Sequence, residues 1–424
     1  MIQQLKTGRK LATLFTALSL IFLALLYMGR HAAQASPAAA IAVALPGVPA
    51  AAWQRELAWA RVREDGAGFV QVMRDGGRVE LTLDPALQHR AERILADAPA
   101  PYAAAVVLSV DDGRVLAMVG HSTAEPDKSA AELTLKPWAP AASIFKLVTA
   151  SALVEQGLSS DTRVCYHDGV HSVEASNLTA HPRWDSACQT LAFGVAKSQN
   201  AIIARLAHDH LEPIDLSKMA RGFGFGAPLA FELPIEASTA VVPDDDLAFA
   251  RVAAGFYATT LSPMHGAYLA ATLARGGVTP PLRLVDQVVA RDGETTRPVG
   301  ATERRVISEE AARAVSRMMV GTTQYGTARL GFHDKRSGRP LLPGVAVAGK
   351  TGSLNRAAGE GPFLSYSWFV GFAPAERPEI AVAVLLGNGE VWHKKAHNVA
   401  AELLSGYFHG APIAPSPSRR LASR

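Results

Sequence analysis

A serine hydroxyl is a poor nucleophile at neutral pH and becomes reactive only beside a base. In Ala141-Ala142-Ser143-Ile144-Phe145-Lys146-Leu147-Val148, Lys146 follows Ser143 by three residues. That spacing puts both side chains on one face of a helix. Lysine serves as the base when burial or a nearby positive charge makes its proton easy to lose. The start of a helix, where a loop turns into an apolar run after Pro140, supplies such a field and favours a developing alkoxide. A single S-x-x-K is a weak signal, because a chain of 424 residues can hold one by chance. Ser198-Gln199-Asn200 and Lys350-Thr351-Gly352-Ser353 follow it in order, the first after about 50 residues and the second after about 150 more. Taken singly, Ser198 reads as a helix cap, Asn200 as a turn residue and Lys350 as an exposed charge. The ordered combination outweighs those readings.

The elements that must position these groups are legible in outline. The Ser143 helix runs to about Gln156 and stops at Gly157. An apolar helical run, residues 191–196, precedes Ser198. The run at 345–348 reads as a buried strand that ends just before Lys350. Residues 103–110 and 114–119 flank Asp111-Asp112-Gly113 and read as a hairpin. Residues 79–83 alternate like a strand, and a helix follows at 86–96. Residues 158–340 read as mainly helical segments, after which strands are expected at 366–372 and 380–386 and a helix at 398–408. Early and late strands therefore build one sheet, with a helical subdomain inserted between them. Gly222-Phe223-Gly224-Phe225-Gly226 is read as a turn with packed Phe side chains. No strand precedes it and no Lys-Ser/Thr follows, so a nucleotide loop is not supported.

Composition narrows the class. The chain is 49% hydrophobic and 19% charged, which suits a folded globular body. Its formal charge of +4 is small and scattered, so no nucleic-acid partner is expected. Residues 11–28 are an uncharged apolar run preceded by Lys6, Arg9 and Lys10. As a helix this run spans about 27 Å, just enough for a bilayer core, with the N-terminus in the cytoplasm. A cleaved signal peptide ending near Ala33-Gln34-Ala35 is the rival reading; the length of the run favours an uncleaved anchor. Cys165 and Cys188 can pair in an oxidising compartment or remain two buried thiols, and the sequence leaves both open. No metal site is expected. His393-Lys394-Lys395-Ala396-His397 lacks the glutamate of H-E-x-x-H, and His208 and His210 diverge on a helix.

The ordered set S-x-x-K, S-x-N, K-T-G resembles the signature of penicillin-binding proteins and related β-lactamases. The likeness to a penicillin-binding protein transpeptidase domain of the membrane-anchored, class B-like kind extends further. It includes residues 81–88, 220–226 and 232–234, together with Ser367-Trp368-Phe369-Val370-Gly371-Phe372-Ala373-Pro374. It covers roughly residues 79–408. The resemblance implies an α/β, three-layer β-lactamase/transpeptidase-like fold, an antiparallel sheet with helices on both faces plus an inserted helical subdomain. The chain then divides into a cytoplasmic tail (1–10), a transmembrane anchor (11–28), a linker and short stem (29–78), the transpeptidase domain (79–410) and a disordered tail (411–424). The expected location is the inner membrane, single-pass, with the catalytic domain outside the cytoplasm.

The implied activity is a peptidoglycan D,D-transpeptidase that cross-links stem peptides ending in D-Ala-D-Ala and is acylated by β-lactams, without a cofactor. Cell-wall synthesis membrane proteins are the partners this implies. Ser143 is the implied nucleophile and Lys146 its base. Ser198 relays a proton to the leaving amine, and Asn200 holds Lys146 and the substrate amide. Lys350 helps keep Lys146 neutral and attracts the terminal carboxylate, which Thr351 and Ser353 also bind, with Gly352 between them. Backbone N–H groups of Ser143 and Ser353 form the oxyanion hole. Ala142 stands where the family often has glycine, a replacement expected to matter little. A D,D-carboxypeptidase or class D-like β-lactamase shares the nucleophile and differs in the fate of the acyl-enzyme. Asn200 favours the penicillin-binding group. A non-catalytic β-lactam sensor or cell-wall scaffold is the alternative of another class, and the intact motifs speak against it.

Overall fold

The computed structural model describes residues 52–66, 68–356, 361–392 and 394–410. The expected anchor at 11–28, the tails at 1–10 and 411–424, residues 29–51 of the linker and stem, and His393 lie outside them. Among the described residues, no helix is long and apolar enough to cross a membrane.

The central sheet is built from both ends of the body. Its strands are β1 (Tyr102–Ser109), β2 (Val115–Ser122), β3 (Ala348–Asn355), β4 (Ser365–Ala373) and β5 (Ile380–Asn388), all antiparallel, in the order β3-β4-β5-β1-β2. Every residue of β4 and β5 is buried. Both faces of these strands are covered, which is why their sequences read as continuous apolar runs instead of alternating ones. Helices α1 (Pro85–Ala96) and α6 (Ala396–His409) pack on one face. Helices α2 (Lys146–Glu155), α3 (Asn200–His210), α4 (Pro263–Ala274) and α5 (Glu309–Gln324) belong to the larger core on the other. This is the three-layer arrangement that the resemblance implies.

Local chemistry sets the helix starts. Asp84 accepts from the Leu87 N–H at 2.8 Å and Pro85 begins α1, so the strand before it ends early, at Arg78–Leu81. Ser262 caps α4 and Ser308 caps α5 in the same way. α4 is buried nearly all round, as its unbroken apolar sequence requires.

Three expectations need correction. The strand expected at 345–348 lies at Ala348–Asn355 and contains Lys350-Thr351-Gly352. Val345 is half-buried and Ala346 exposed, so the apolar run only leads into the strand. Pairing with β4, from Ala348 opposite Phe372 to Asn355 opposite Ser365, fixes the strand over the polar motif instead. The inserted region is less purely helical than expected. It contains the pair Arg163–Tyr166 and Ala187–Thr190, and the strands Val285–Val289 and Thr295–Thr296. Lastly, Arg78–Leu81 pairs with Val285–Val289 from across the chain, in a second five-stranded sheet that also holds Arg63–Asp65 and Gly68–Val72.

Candidate active site

Ser143 lies in a single 3-10 turn, Ala142–Ile144, and Lys146 opens α2 directly after it. The shift from loop to helix thus falls between the two residues, slightly later than the sequence suggested. Three neighbours hold this turn. Trp368, from the middle of β4, donates its indole N–H to the Pro140 carbonyl at 2.9 Å. The Phe145 ring meets Phe225 edge-on at 5.5 Å, and Phe223 and Phe225 are buried. The Phe-rich glycine turn is therefore part of the packing behind the Ser143 turn. Gly255, at φ +87°, brings backbone against Ala142, where an added Cβ would stand 2.3 Å from the Ala142 carbonyl oxygen.

Ala142 itself takes φ 49°, in the left-handed region that favours glycine. The sequence reading gives the alanine here little weight. The backbone shows instead that the position is conformationally demanding, and a non-glycine residue costs about 1 kcal/mol or more there.

Lys146 is completely buried. Its Nζ lies 2.8 Å from Ser143 Oγ and 2.7 Å from Asn200 Oδ1, and also donates to the Ala254 carbonyl. Desolvation, followed by the charge of Lys350, pushes the Lys146 ammonium well below the ordinary lysine range. A neutral amine has two hydrogens and one lone pair. Asn200 Oδ1 and the Ala254 carbonyl take the two hydrogens, and the lone pair is left facing the Ser143 hydroxyl. Two acceptors and one hydroxyl are thus what a base for Ser143 needs around it.

Ser198 and Asn200 sit at the junction between the helix Leu191–Ala196 and α3. Ser198 is not a helix cap; Gln199 accepts from the Ala201 N–H instead, and Ser198 takes φ 56°. The Thr327 N–H donates to the Ala196 carbonyl at 3.1 Å, which ties the end of the preceding helix to the turn after α5. Lys350, also completely buried, reaches from β3 to Ser198 Oγ at 2.9 Å and to the Thr351 carbonyl at 2.8 Å. Burial lowers its pKa to about 7. Its charge is therefore sensitive to pH.

β3 is the edge of the central sheet, so its alternate backbone groups face away from β4. Gly352 lets that strand lie against the nucleophile turn: a Cβ there would stand 3.3 Å from Ile144 Cγ1 and 3.4 Å from Ala142 Cβ. Ser143, Ser198, Asn200, Thr351 and Ser353 all line one open cleft of about 820 Å³. The structure thus brings Ser143, Lys146, Ser198, Asn200, Lys350, Thr351, Gly352 and Ser353 to one place.

Sequence reasoning missed the carbonyl of Ala254, the close approach of Gly255, and Thr327, whose hydroxyl lies 2.5 Å from that of Thr351 in the same cleft. It also missed Val170, whose carbonyl accepts from Asn200 Nδ2 at 2.9 Å. Two of these, the Ala254 and Val170 carbonyls, act through backbone, to which residue type is nearly blind. Gly255 and the Gly326-Thr327 pair were the available signals.

Comparison with known proteins gives a consistent result. Residues 103–406 match the family model for the penicillin binding protein transpeptidase domain. The chain is 30% identical over 376 residues to penicillin-binding protein PbpB of Mycobacterium tuberculosis, covering 81% of this chain and 54% of PbpB. It therefore spans about half the length of that relative. It is 26% identical to the peptidoglycan D,D-transpeptidase PbpA of the same organism, over 74% of this chain and 68% of PbpA. The structure of penicillin-binding protein A from M. tuberculosis as an imipenem acyl-enzyme complex superposes with a TM-score of 0.65 at 25% identity. That match covers 78% of this chain and 80% of the other.

Proposed function

The chain belongs to the penicillin-binding protein transpeptidase family, and from that premise we propose that it is a peptidoglycan D,D-transpeptidase that works through an acyl-enzyme on Ser143. The observation that carries this reading is the environment of Lys146: buried, beside a second lysine, with two carbonyl acceptors and the Ser143 hydroxyl around its nitrogen.

The steps follow from that arrangement. Ser143 Oγ attacks the carbonyl carbon of the penultimate D-Ala, and its proton passes to Lys146 Nζ. Backbone N–H groups of Ser143 and, on the edge strand, Ser353 receive the developing oxyanion. Ser198, hydrogen-bonded to Lys350, relays a proton to the departing amine, the C–N bond breaks, and D-Ala leaves. An amine of a second stem peptide then attacks the ester, its proton returns through the same groups, and Ser143 is released with a cross-link formed. Lys350, Thr351 and Thr327 face the terminal carboxylate. Asn200 has one amide hydrogen committed to Val170 and a second for the substrate amide. A β-lactam enters by the same attack.

We place the domain outside the cytoplasm, anchored at the inner membrane by residues 11–28 and working beside membrane proteins of cell-wall synthesis. The run's apolar length and its preceding basic residues support this. The disulfide between Cys165 and Cys188 supports an oxidising compartment independently.

The test uses a pentapeptide ending in D-Ala-D-Ala together with an amine acceptor. Release of D-Ala with formation of the cross-linked amide is the expected result. Release with hydrolysed product alone, at every acceptor concentration, makes the chain a carboxypeptidase; no release rejects the reading.

A further inference from the structure

The site depends on which way the Asn200 amide faces. Its Oδ1 accepts from Lys146 and its Nδ2 donates to the Val170 carbonyl. Turned over, the amide would present an N–H to the lysine and remove one of the two acceptors that orient the amine. Val170 therefore selects the working orientation, and the question becomes what holds Val170.

Val170 lies in a loop closed at its base by the disulfide between the paired strands Arg163–Tyr166 and Ala187–Thr190, where Cys165 faces Cys188. The loop lies directly on the start of α3. Gly169, at φ +69°, comes so close that a Cβ there would stand 2.4 Å from Ala201 Cβ. Asp168 adds a carbonyl that accepts from Gln199 Nε2 at 3.3 Å.

One side chain of α3 reaches up and binds this loop at three places. Arg205, with a side chain only 3% exposed, donates Nε to the Asn177 carbonyl at 2.6 Å and Nη1 to the Cys165 carbonyl. Its guanidinium also meets both carboxylate oxygens of Asp185, at 2.7 and 3.3 Å. Asp185 gathers the rest: its carboxylate accepts from the His181 N–H at 2.9 Å and meets His167 Nδ1 at 2.7 Å. Asn177 in turn donates Nδ2 to the His167 carbonyl at 3.1 Å. A planar, two-pronged guanidinium suits such a hub better than a lysine would.

We infer that Arg205 and Asp185 are positioning residues for the acyl-transfer site, clamping the disulfide-closed loop onto α3 so that the Val170 carbonyl fixes the Asn200 amide with its oxygen toward Lys146. Neither residue touches substrate or Ser143. Both act through Val170 and Asn200, which begins the very helix that carries Arg205. The inference rests on the acyl-enzyme reading proposed above.

The test is a double-mutant cycle with a fluorescent penicillin on the full chain. The variant Arg205→Met with Asp185→Leu removes both charges and keeps the interior filled, so no lone buried charge is left. Asp185→Asn, which preserves size and one acceptor oxygen, is the second variant. Each is measured in the wild-type background and in Asn200→Ala, with the acylation rate constant and the penicillin dissociation constant separated by varying penicillin concentration. The expected result is a fall of about tenfold in the acylation rate constant, with the dissociation constant held within twofold, and less than a twofold further fall once Asn200 is alanine. An equal fall in both backgrounds means that the pair only supports the fold, and no fall in the wild-type background means that it has no role; either overturns the inference. A wild-type chain that penicillin does not acylate contradicts the functional reading itself, and the inference with it, in the first control.

Discussion

Lys146 and Lys350 carry the chemistry that is most open to measurement. Both are completely buried, but the neighbouring charge acts as a second lowering influence on Lys146. Burial and that charge make Lys146 easy to deprotonate, and burial alone lowers Lys350 to about 7. In the proposed mechanism acylation needs the first neutral and the second charged. The rate should rise with pH as Lys146 is deprotonated, well below the ordinary lysine range, and fall as Lys350 loses its proton. Lys350→Arg, which stays charged throughout, should lose the alkaline fall while keeping the rising limb; penicillin acylation from pH 5 to 10 checks both. A second expectation concerns removal of the base. Lys146→Ala should lower the acylation rate constant by at least about 10³, within the range of general-base effects. Lys350→Ala should act more on capture of the carboxylate, seen as a weaker dissociation constant. The five motif residues could be found in the sequence because their types and order are distinctive. The second acceptor of Lys146 could not, since the carbonyl of Ala254 is the same on any residue.

The positions of the motif residues are decided by how closely three backbone segments approach one another. The nucleophile turn meets the edge strand β3 at Gly352 and the end of the helix Asp246–Ala253 at Gly255. Gly255→Ala meets two obstacles at once, a left-handed φ and a Cβ 2.3 Å from the Ala142 carbonyl. It should cost about 3 kcal/mol or more, by strain and displacement of packed backbone. Because Ala254 also accepts from Lys146, acylation should fall more than stability alone explains. Urea unfolding together with penicillin labelling of the folded fraction separates these effects. At this scale the sequence was a partial guide. The hairpin of β1 and β2, the buried strands β4 and β5 and the nucleophile helix follow from local pattern and turn residues. β3 was displaced because its pairing with β4, not its own apolar content, sets its extent. The two-stranded pair at Cys165 and Cys188 has only four residues a strand, so it leaves no periodic trace before the disulfide is known.

For the molecule as a whole, the central sheet is drawn from residues far apart in sequence, with an inserted region that carries half of the site. The disulfide constrains the part of that region that lies over α3. By the chain-entropy account, closing a loop across a sequence separation of 23 is worth about 3 kcal/mol. Cys165→Ser with Cys188→Ser should lower the unfolding midpoint accordingly, measured by urea titration against wild type under non-reducing conditions. A sheet built from both ends of the body was legible because early and late strands flank a helical middle; its three layers followed from the family resemblance. The clamp of Arg205 and Asp185 was not, because 20 residues separate the two with no repeating pattern between them. The central claim, that this fold assembles one reactive serine, is tested most directly by exposing the full chain to a fluorescent penicillin and mapping the adduct by peptide mass spectrometry. The account predicts one covalent adduct, on Ser143, that disappears in Ser143→Ala. An adduct on another residue, or labelling that survives Ser143→Ala, would contradict it.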